Sequence, residues 1–96
     1  MIDIIEKACD DSFEKHMNGE KCSNFTSDRE DNVISLCFEV GSEYGIHDDN
    51  VIHIDLDSEE INCYLTERYE GSGIEDEIEK IVKSNIVEIK KNLVNI

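Results

Sequence analysis

The stretch that decides the fold runs from Asn32 to Tyr69 and reads NVISLCFEVGSEYGIHDDNVIHIDLDSEEINCYLTERY. Within it, apolar residues occupy every second position in three runs, at residues 33–40, 51–57 and 61–66. A period of two is typical of a strand with one face in the core and the other in water. The connections are short enough for consecutive strands to pair antiparallel, so the stretch predicts a meander.

A tight turn at residues 57–60 sets the predicted register of the second and third strands. Placing Leu56 opposite Ile61 keeps the apolar residues of both strands on one face. A slip of one residue would turn them outward, so the pattern fixes the parity of the pairing. The predicted pairs are Ile54 with Cys63 and Ile52 with Leu65 on the inner face, and His53 with Tyr64 and Asp55 with Asn62 on the outer face.

Helical patterns flank the meander on both sides. The first covers residues 2–18, and its apolar stripe is Ile2, Ile5, Ala8, Cys9, Ser12, Phe13 and Met17. The second begins with a capping box, with Ser72 as the N-cap and Glu75 three residues later. It continues as one helix with the stripe Ile74, Ile78, Ile81, Val82, Ile86, Ile89, Leu93 and Ile96.

Residues 20–32 leave two alternatives open. Residues 21–27 form either a fourth strand at the sheet edge or a loop, and residues 28–32 form a polar turn. The prediction is a single α+β domain over residues 1–96, a two-layer sandwich of a three- or four-stranded antiparallel meander with N-terminal and C-terminal helices on one face. The predicted core is Ile34, Leu36, Phe38, Ile52, Ile54, Leu56, Ile78, Ile81, Val82, Ile89 and Leu93. The outer face of the sheet stays uncovered.

Charge is the strongest compositional signal. Of 96 residues, 24 are acidic and 9 are basic, which gives a net charge of −15. Residues 28–60 carry eleven acids against a single basic residue, Arg29. Such a field repels nucleic acid and anionic membranes and attracts basic proteins, although solubility alone is a simpler interpretation. We therefore expect a basic protein partner, and neither direct nucleic-acid binding nor membrane binding.

The sequence offers no chemistry for an enzyme. It contains no phosphate-binding loop and no nucleophile elbow. The four cysteines, at positions 9, 22, 37 and 63, are too far apart in sequence for a CxxC zinc or redox motif. His53, Asp55 and Asp57 step along a strand about 7 Å apart, too far to converge on one metal ion. We expect no metal, no cofactor, reduced thiols and no catalytic residue.

No run of 18 apolar residues is present, and residues 1–6 lack the basic start of a signal peptide, so we expect a cytoplasmic protein. With its small size, acidity, helix–meander–helix plan and lack of a catalytic motif, the chain resembles the small acidic immunity proteins that bacteria make against their own nuclease toxins. That resemblance implies carboxylates that stand in for nucleic-acid phosphates in a basic cleft.

Two other binding functions fit the same features. One is a phage-type acidic decoy that inhibits a nucleic-acid-binding defence complex. The other is an acidic secretion chaperone, which needs an exposed apolar groove and a dimer surface, with Val87 and Val94 as the candidates. The expected oligomeric state is a monomer or a weak homodimer.

The predicted partner-binding site lies at one end of the meander. There, the polar turn at residues 28–32 and the turn at residues 57–60 come together, and Glu59 and Glu60 are expected to be solvated. At the opposite end, the acids at residues 75–77 complement the helix dipole. The candidate binding residues are Asp28, Glu30, Asp31, Glu39, His53, Asp55, Asp57, Glu59, Glu60 and Tyr64, with Tyr64 as an aromatic anchor.

Overall fold

The computed structural model describes residues 3–16, 20–42 and 45–93, and it confirms the predicted α+β class. Four strands form one antiparallel sheet in the order β1-β2-β3-β4, and the helices pack on one face of it. In chain order the elements are α1 (Asp3–His16), β1 (Lys21–Glu30), β2 (Val33–Ser42), β3 (Gly45–Asp55), β4 (Ile61–Tyr64), a short 3-10 helix (Glu67–Tyr69), α2 (Ile74–Ser84) and α3 (Ile86–Leu93).

Residues 21–27, which the sequence assigned to either a strand or a loop, belong to strand β1. This strand is longer than the predicted one. β1 continues through residues 28–30, which the sequence assigned to a polar turn, and it pairs Asp28 with Ser35 and Glu30 with Val33. Only Asp31 and Asn32 reverse the chain, and Asp31 has a positive φ of 54°. A two-residue turn with a positive φ is the usual connection of a hairpin. The predicted five-residue turn is therefore wrong, because backbone pairing does not require apolar side chains.

β3 and β4 pair with the predicted parity but with a different register. Ile54 lies opposite Ile61 and Ile52 lies opposite Cys63, a displacement of two residues from the prediction. Asp55 causes the displacement, because its carboxylate accepts hydrogen bonds from the backbone N–H groups of Asp57 (2.9 Å) and Ser58 (3.1 Å). The strands therefore separate after Asp55. On the outer face, His53 pairs with Asn62 and Tyr64 pairs with Val51.

The C-terminal helix is two helices, not one. α2 ends at Ser84, and Asn85 (φ −110°, ψ 15°) separates it from α3. The side chains of Ser84 and Asn85 donate to the carbonyl oxygens of Lys80 (2.7 Å) and Ile81 (2.8 Å). Such local bonds offer the backbone an alternative to a continuing helix. The apolar residues keep their spacing of about 3.6 residues across this break. The sequence pattern therefore does not reveal the break.

The predicted capping box is also wrong. The N-cap of α2 is Gly73, which adopts a left-handed conformation (φ 92°) and makes no side-chain cap. The hydroxyl of Ser72 donates to the carbonyl of Tyr69 (2.6 Å) and accepts from the backbone N–H of Ile74, the first residue of α2 (3.3 Å). Ser72 therefore connects the preceding 3-10 helix to the start of α2, but it is not the N-cap residue.

The core lies between the helices and the inner face of the sheet. All the predicted core residues are buried except Ile81, which is half-buried, and Leu93, whose side chain lies outside the described residues. Among the described residues, the largest fully buried side chain is that of Tyr69, which the sequence did not assign to the core. The stripe of α1 is buried from Ile5 to Phe13, while Ile2 and Met17 lie outside the described residues.

One buried polar side chain holds three parts of the chain together. Asn50 is 1% exposed, and its amide nitrogen donates to the carbonyl oxygens of Phe38 (3.2 Å) and His47 (2.8 Å). Its oxygen accepts from the backbone N–H and the hydroxyl of Thr66, both at 3.0 Å. The side-chain amide makes all four of its hydrogen bonds, and these bonds compensate for its removal from water.

Truncation of Ile54 to alanine tests the assigned inner face. Ile54 is fully buried in the centre of the sheet, so Ile54→Ala should lower the free energy of unfolding by about 2–5 kcal/mol. Equilibrium urea denaturation measures the loss. Val51, on the outer face of the same strand, is only half-buried, and Val51→Ala is the matched control with a smaller expected loss. Equal losses would contradict the assignment of the two faces.

Candidate partner-binding surface

The face of the sheet away from the helices forms the candidate surface. Cys37, Asn62 and Tyr64 are exposed on it, so the described part of the chain leaves this face uncovered. Cross-strand pairing arranges its side chains in rows that run from β1 towards β4. The rows are Glu30–Val33–Asp55, Asp28–Ser35–His53–Asn62 and Thr26–Cys37–Val51–Tyr64.

The two acidic turns lie together at one end of this surface, as the meander predicts. The amide nitrogen of Asn32 donates to the Asp57 carboxylate at 2.7 Å. The backbone N–H of Leu56 donates to the carbonyl oxygen of Asn32 at 2.7 Å. These two bonds hold the β1–β2 turn against the β3–β4 turn.

Three of the predicted site residues form an unpaired acidic trio, which we define as Asp28, Glu30 and Asp31. All three are exposed, and none of them forms a salt bridge within the described ranges 3–16, 20–42 and 45–93. Together with Val33, Ser35 and His53, the trio lines a shallow depression on the open face. The nearest cation in sequence, Arg29, donates instead to the backbone oxygen of Asp31 (3.1 Å). The charge of the trio is therefore available to a partner.

Three further predicted residues are hydrogen-bonded within the fold. Glu39 accepts from the amide of Asn24 (2.7 Å), and Asp57 accepts from Asn32. Asp55 accepts from two backbone N–H groups in its turn, and these bonds, that of Ser58 first, hold the pKa of its carboxyl below the ordinary value. These carboxylates add to the negative field, but each also has a structural role.

Glu59 and Glu60 are not the equivalent solvated pair that the sequence predicts. Glu59 is half-buried, and its carboxylate lies 3.7 Å from the ammonium of Lys90 in α3. Its backbone oxygen accepts a hydrogen bond from Lys83 of α2. Glu60 is exposed and lines a groove beside α2 with Lys80 and Lys83. The lysines of the helices thus reduce the negative charge at this turn.

The aromatic part of the surface lies towards β4. Tyr64 is 53% exposed, and its ring meets that of His53 edge to face, with centroids 5.6 Å apart. His53 also lines the depression of the trio. Since neighbouring strands are about 4.8 Å apart, the surface from β1 to β4 is about 14 Å wide. His53 connects its acidic side to its aromatic side.

The surface contains residues that the sequence did not single out. Val33 and Ser35 line the depression between the trio and His53. Their alternation with Ile34 and Leu36 signals an outward position, but their small, uncharged side chains gave no reason to include them. Because both side chains are small and uncharged, they form an uncharged floor at the centre of the surface.

The cysteines and carboxylates of the described residues are candidate ligands for a metal centre. Within the described residues, no group of three histidine, cysteine, aspartate or glutamate side chains is placed to hold an ion. Cys9 and Cys63 are buried as predicted. Burial raises the pKa of the Cys9 and Cys63 thiols, and it raises that of Cys22 to about 12. Thiols with such raised pKa values stay protonated at neutral pH and are poor nucleophiles.

The other acidic end of the molecule has a structural role. Glu77 in the first turn of α2 binds Lys15 (2.9 Å) and His16 (3.0 Å) at the end of α1. The bond with Lys15 contributes most to holding the pKa of Glu77 below its ordinary value. This pairing joins the two helices, so Glu77 has a structural role at this end.

Two other features bear on the alternatives. No helix in the described part of the chain has both the length and the apolar character that crossing a membrane requires. Val87 is 74% exposed on α3, and Val94 lies outside the described residues. Among the described residues, the other exposed large apolar side chains are Ile46 and Tyr64, which lie on β3 and β4 and not on α3.

Comparison with known proteins gives no relative: no family model, no curated protein and no solved structure matches this chain.

Proposed function

We propose that the protein is a non-enzymatic, cytoplasmic inhibitor that binds and neutralises a basic protein, and that it acts as an immunity protein against a nuclease toxin. The observation that carries the proposal is the unpaired acidic trio beside an uncovered sheet face. A nuclease cleft is positive because its substrate is negative. Carboxylates that have no cation of their own occupy such a cleft in place of phosphates.

The distribution of the basic residues supports a protein partner rather than nucleic acid. Salt bridges within the chain engage Lys7, Lys15, Arg68 and Lys90. A protein that binds nucleic acid needs a patch of free cations to replace the counterions of the phosphates. With a net charge of −15, this chain instead has a field that speeds its encounter with a basic surface.

Tyr64 supplies the part of the surface that charge alone does not. Interface hot spots are enriched in tyrosine, tryptophan and arginine near the centre of a contact. Tyr64 stands on the uncovered face beside His53, and its exposed ring is available for burial. The proposed interface therefore combines electrostatic steering by the trio with apolar burial at Tyr64.

A nuclease-inhibition assay tests the proposal. The basic protein that a tagged form of this chain captures from its native host is titrated with the purified protein, and hydrolysis of RNA and DNA is followed. We expect inhibition that is complete at a one-to-one ratio. Polyaspartate, added at the same total charge, is the control for non-specific polyanion effects. Inhibition no stronger than that of polyaspartate would overturn the proposal, and binding to a nucleic-acid-binding complex without nuclease activity would favour the decoy alternative.

A further inference from the structure

The two edges of the sheet differ in how they are closed. β4 has only four residues, and the backbone N–H of Cys63 donates to the Glu79 carboxylate of α2 at 2.9 Å. α2 thus protects that edge. The opposite edge is β1, a ten-residue strand whose residues from Thr26 to Glu30 are all exposed. Proteins usually protect long edge strands, because their unpaired backbone groups are a template for another chain.

In the described part of the chain, such protection is found at the first half of β1. The backbone N–H of Cys22 donates to the Asp10 carboxylate of α1 at 3.3 Å. The pairing with β2 is irregular between Ser23 and Thr26, and Asn24 has a positive φ of 53°. A bulge of this kind bends an edge and makes further pairing difficult.

The second half of β1, residues 26–30, is regular and open. Its pairing with β2 runs without interruption from Thr26 opposite Cys37 to Glu30 opposite Val33. In an antiparallel pair, alternate residues bond to the neighbouring strand. A two-residue turn is flanked by a hydrogen-bonded pair, so the backbone groups of Glu30 bond to β2. By the same alternation, the backbone groups of Asp28 and Thr26 also bond to β2. The backbone N–H and C=O groups of Ser27 and Arg29 therefore point away from the sheet.

We propose that residues 26–30 of β1 bind an extended segment of the basic partner as a fifth strand of the sheet. This inference rests on the proposed function for the basic character of the partner and adds how the partner is held. Asp28 and Glu30 point to the open face at the edge, and Asp31 follows them in the turn. A segment with lysine or arginine at every second position places its cations beside these carboxylates. A second copy of this chain is disfavoured as the occupant, because it brings a net charge of −15 to the same edge.

Binding of a synthetic peptide of alternating lysine and valine to the full-length protein tests this proposal. The control peptide has the same sequence but carries a methyl group on every backbone nitrogen, which keeps the charge and removes every donor. In a low-salt titration, methylation should weaken binding at least about tenfold. Amide hydrogen exchange should show that the peptide protects Ser27 and Arg29, whose groups point outward, but leaves the exchange of Asp28 unchanged.

A pair of variants separates pairing from charge. Ser27→Pro removes an outward N–H without altering the net charge or a bond to β2, since proline is tolerated where the N–H faces solvent. Ser27→Thr keeps the N–H and is the matched control. We expect the peptide to bind Ser27→Thr like the wild type and Ser27→Pro more weakly, by up to about tenfold, because one backbone hydrogen bond is lost. If circular dichroism shows that Ser27→Pro is unfolded, hydrogen exchange on the wild-type protein decides.

The experiments test strand addition separately from the proposed function. Equal binding of both peptides, or no binding of either, overturns strand addition. The nuclease assay then decides separately whether the protein neutralises a basic partner. Self-association of the wild type that Ser27→Pro abolishes also overturns the proposal, because the edge then belongs to a second copy.

Discussion

Replacement of Tyr69 by alanine should lower the free energy of unfolding by about 3–5 kcal/mol, the range for removal of a buried aromatic ring. Tyr69 is fully buried and meets Phe13 of α1 edge to face, with ring centroids 5.0 Å apart. His47 of β3 packs on it in the same manner at 5.6 Å. The ring thus fills the space between α1 and the end of the sheet. Since small domains are stable by about 5–15 kcal/mol, this loss is a large part of the total.

Tyr69→Phe is the matched control, because it keeps the ring and removes only the hydroxyl. That hydroxyl is buried beside the Glu20 carboxylate and makes no well-formed hydrogen bond among the described residues, so its loss should change stability by less than about 1 kcal/mol. Urea denaturation of both variants measures the difference. A Tyr69→Phe loss as large as that of Tyr69→Ala would show that the hydroxyl, and not the ring, stabilises the fold.

The same control has an expected signature at high pH. Burial, with the neighbouring Glu20 carboxylate as the second cause, raises the pKa of Tyr69 from 10.0 to about 12. Between these values the unfolded chain releases a proton that the folded protein retains. Stability should therefore fall as the pH rises from 10.0 to about 12. Tyr69→Phe should reduce that fall, which denaturation at several pH values measures.

The parts of the fold that follow from local pattern were predictable from the sequence. Alternation assigned Ile34, Leu36, Ile52 and Ile54 to the inner face, and a strand has only two faces to choose from. The sequence did not predict the burial of Tyr69, because this residue lies in a polar segment after the last strand and belongs to no periodic apolar pattern. Its burial is decided by Phe13, which is 56 positions earlier in the sequence.

The features that the sequence missed depend on side chains that bond locally to the backbone. Asp55 ends β3 two residues early by accepting two N–H groups, and Asn85 interrupts the C-terminal helix by donating to Ile81. The hydrophobic pattern does not show either feature, because neither the end of β3 nor the helix break changes which face is apolar. The candidate site shows the same limit, since only the folded chain places Lys90 beside Glu59.

Neutralisation of the acidic trio should slow association with the basic partner by about tenfold at low ionic strength. The variant Asp28→Asn, Glu30→Gln and Asp31→Asn removes three charges from one end of the open face with little change in shape. Because all three side chains are exposed and form no salt bridge among the described residues, the melting temperature should stay close to that of the wild type. Stopped-flow mixing with the captured basic protein measures the rate.

The matched control removes three charges elsewhere on the surface. Glu14, Glu70 and Glu88 are exposed, and Glu14→Gln, Glu70→Gln and Glu88→Gln together change the net charge by the same amount. If the trio guides the partner, this control should keep the association rate within about twofold, because steering depends on where the charge lies as well as on its sum. The rate of the trio variant should also depend less on salt than that of the control, since fewer charges are screened at the contact. Equal slowing of both variants would show that total charge alone attracts the partner, and a trio variant that associates at the wild-type rate would place the binding surface elsewhere on the molecule.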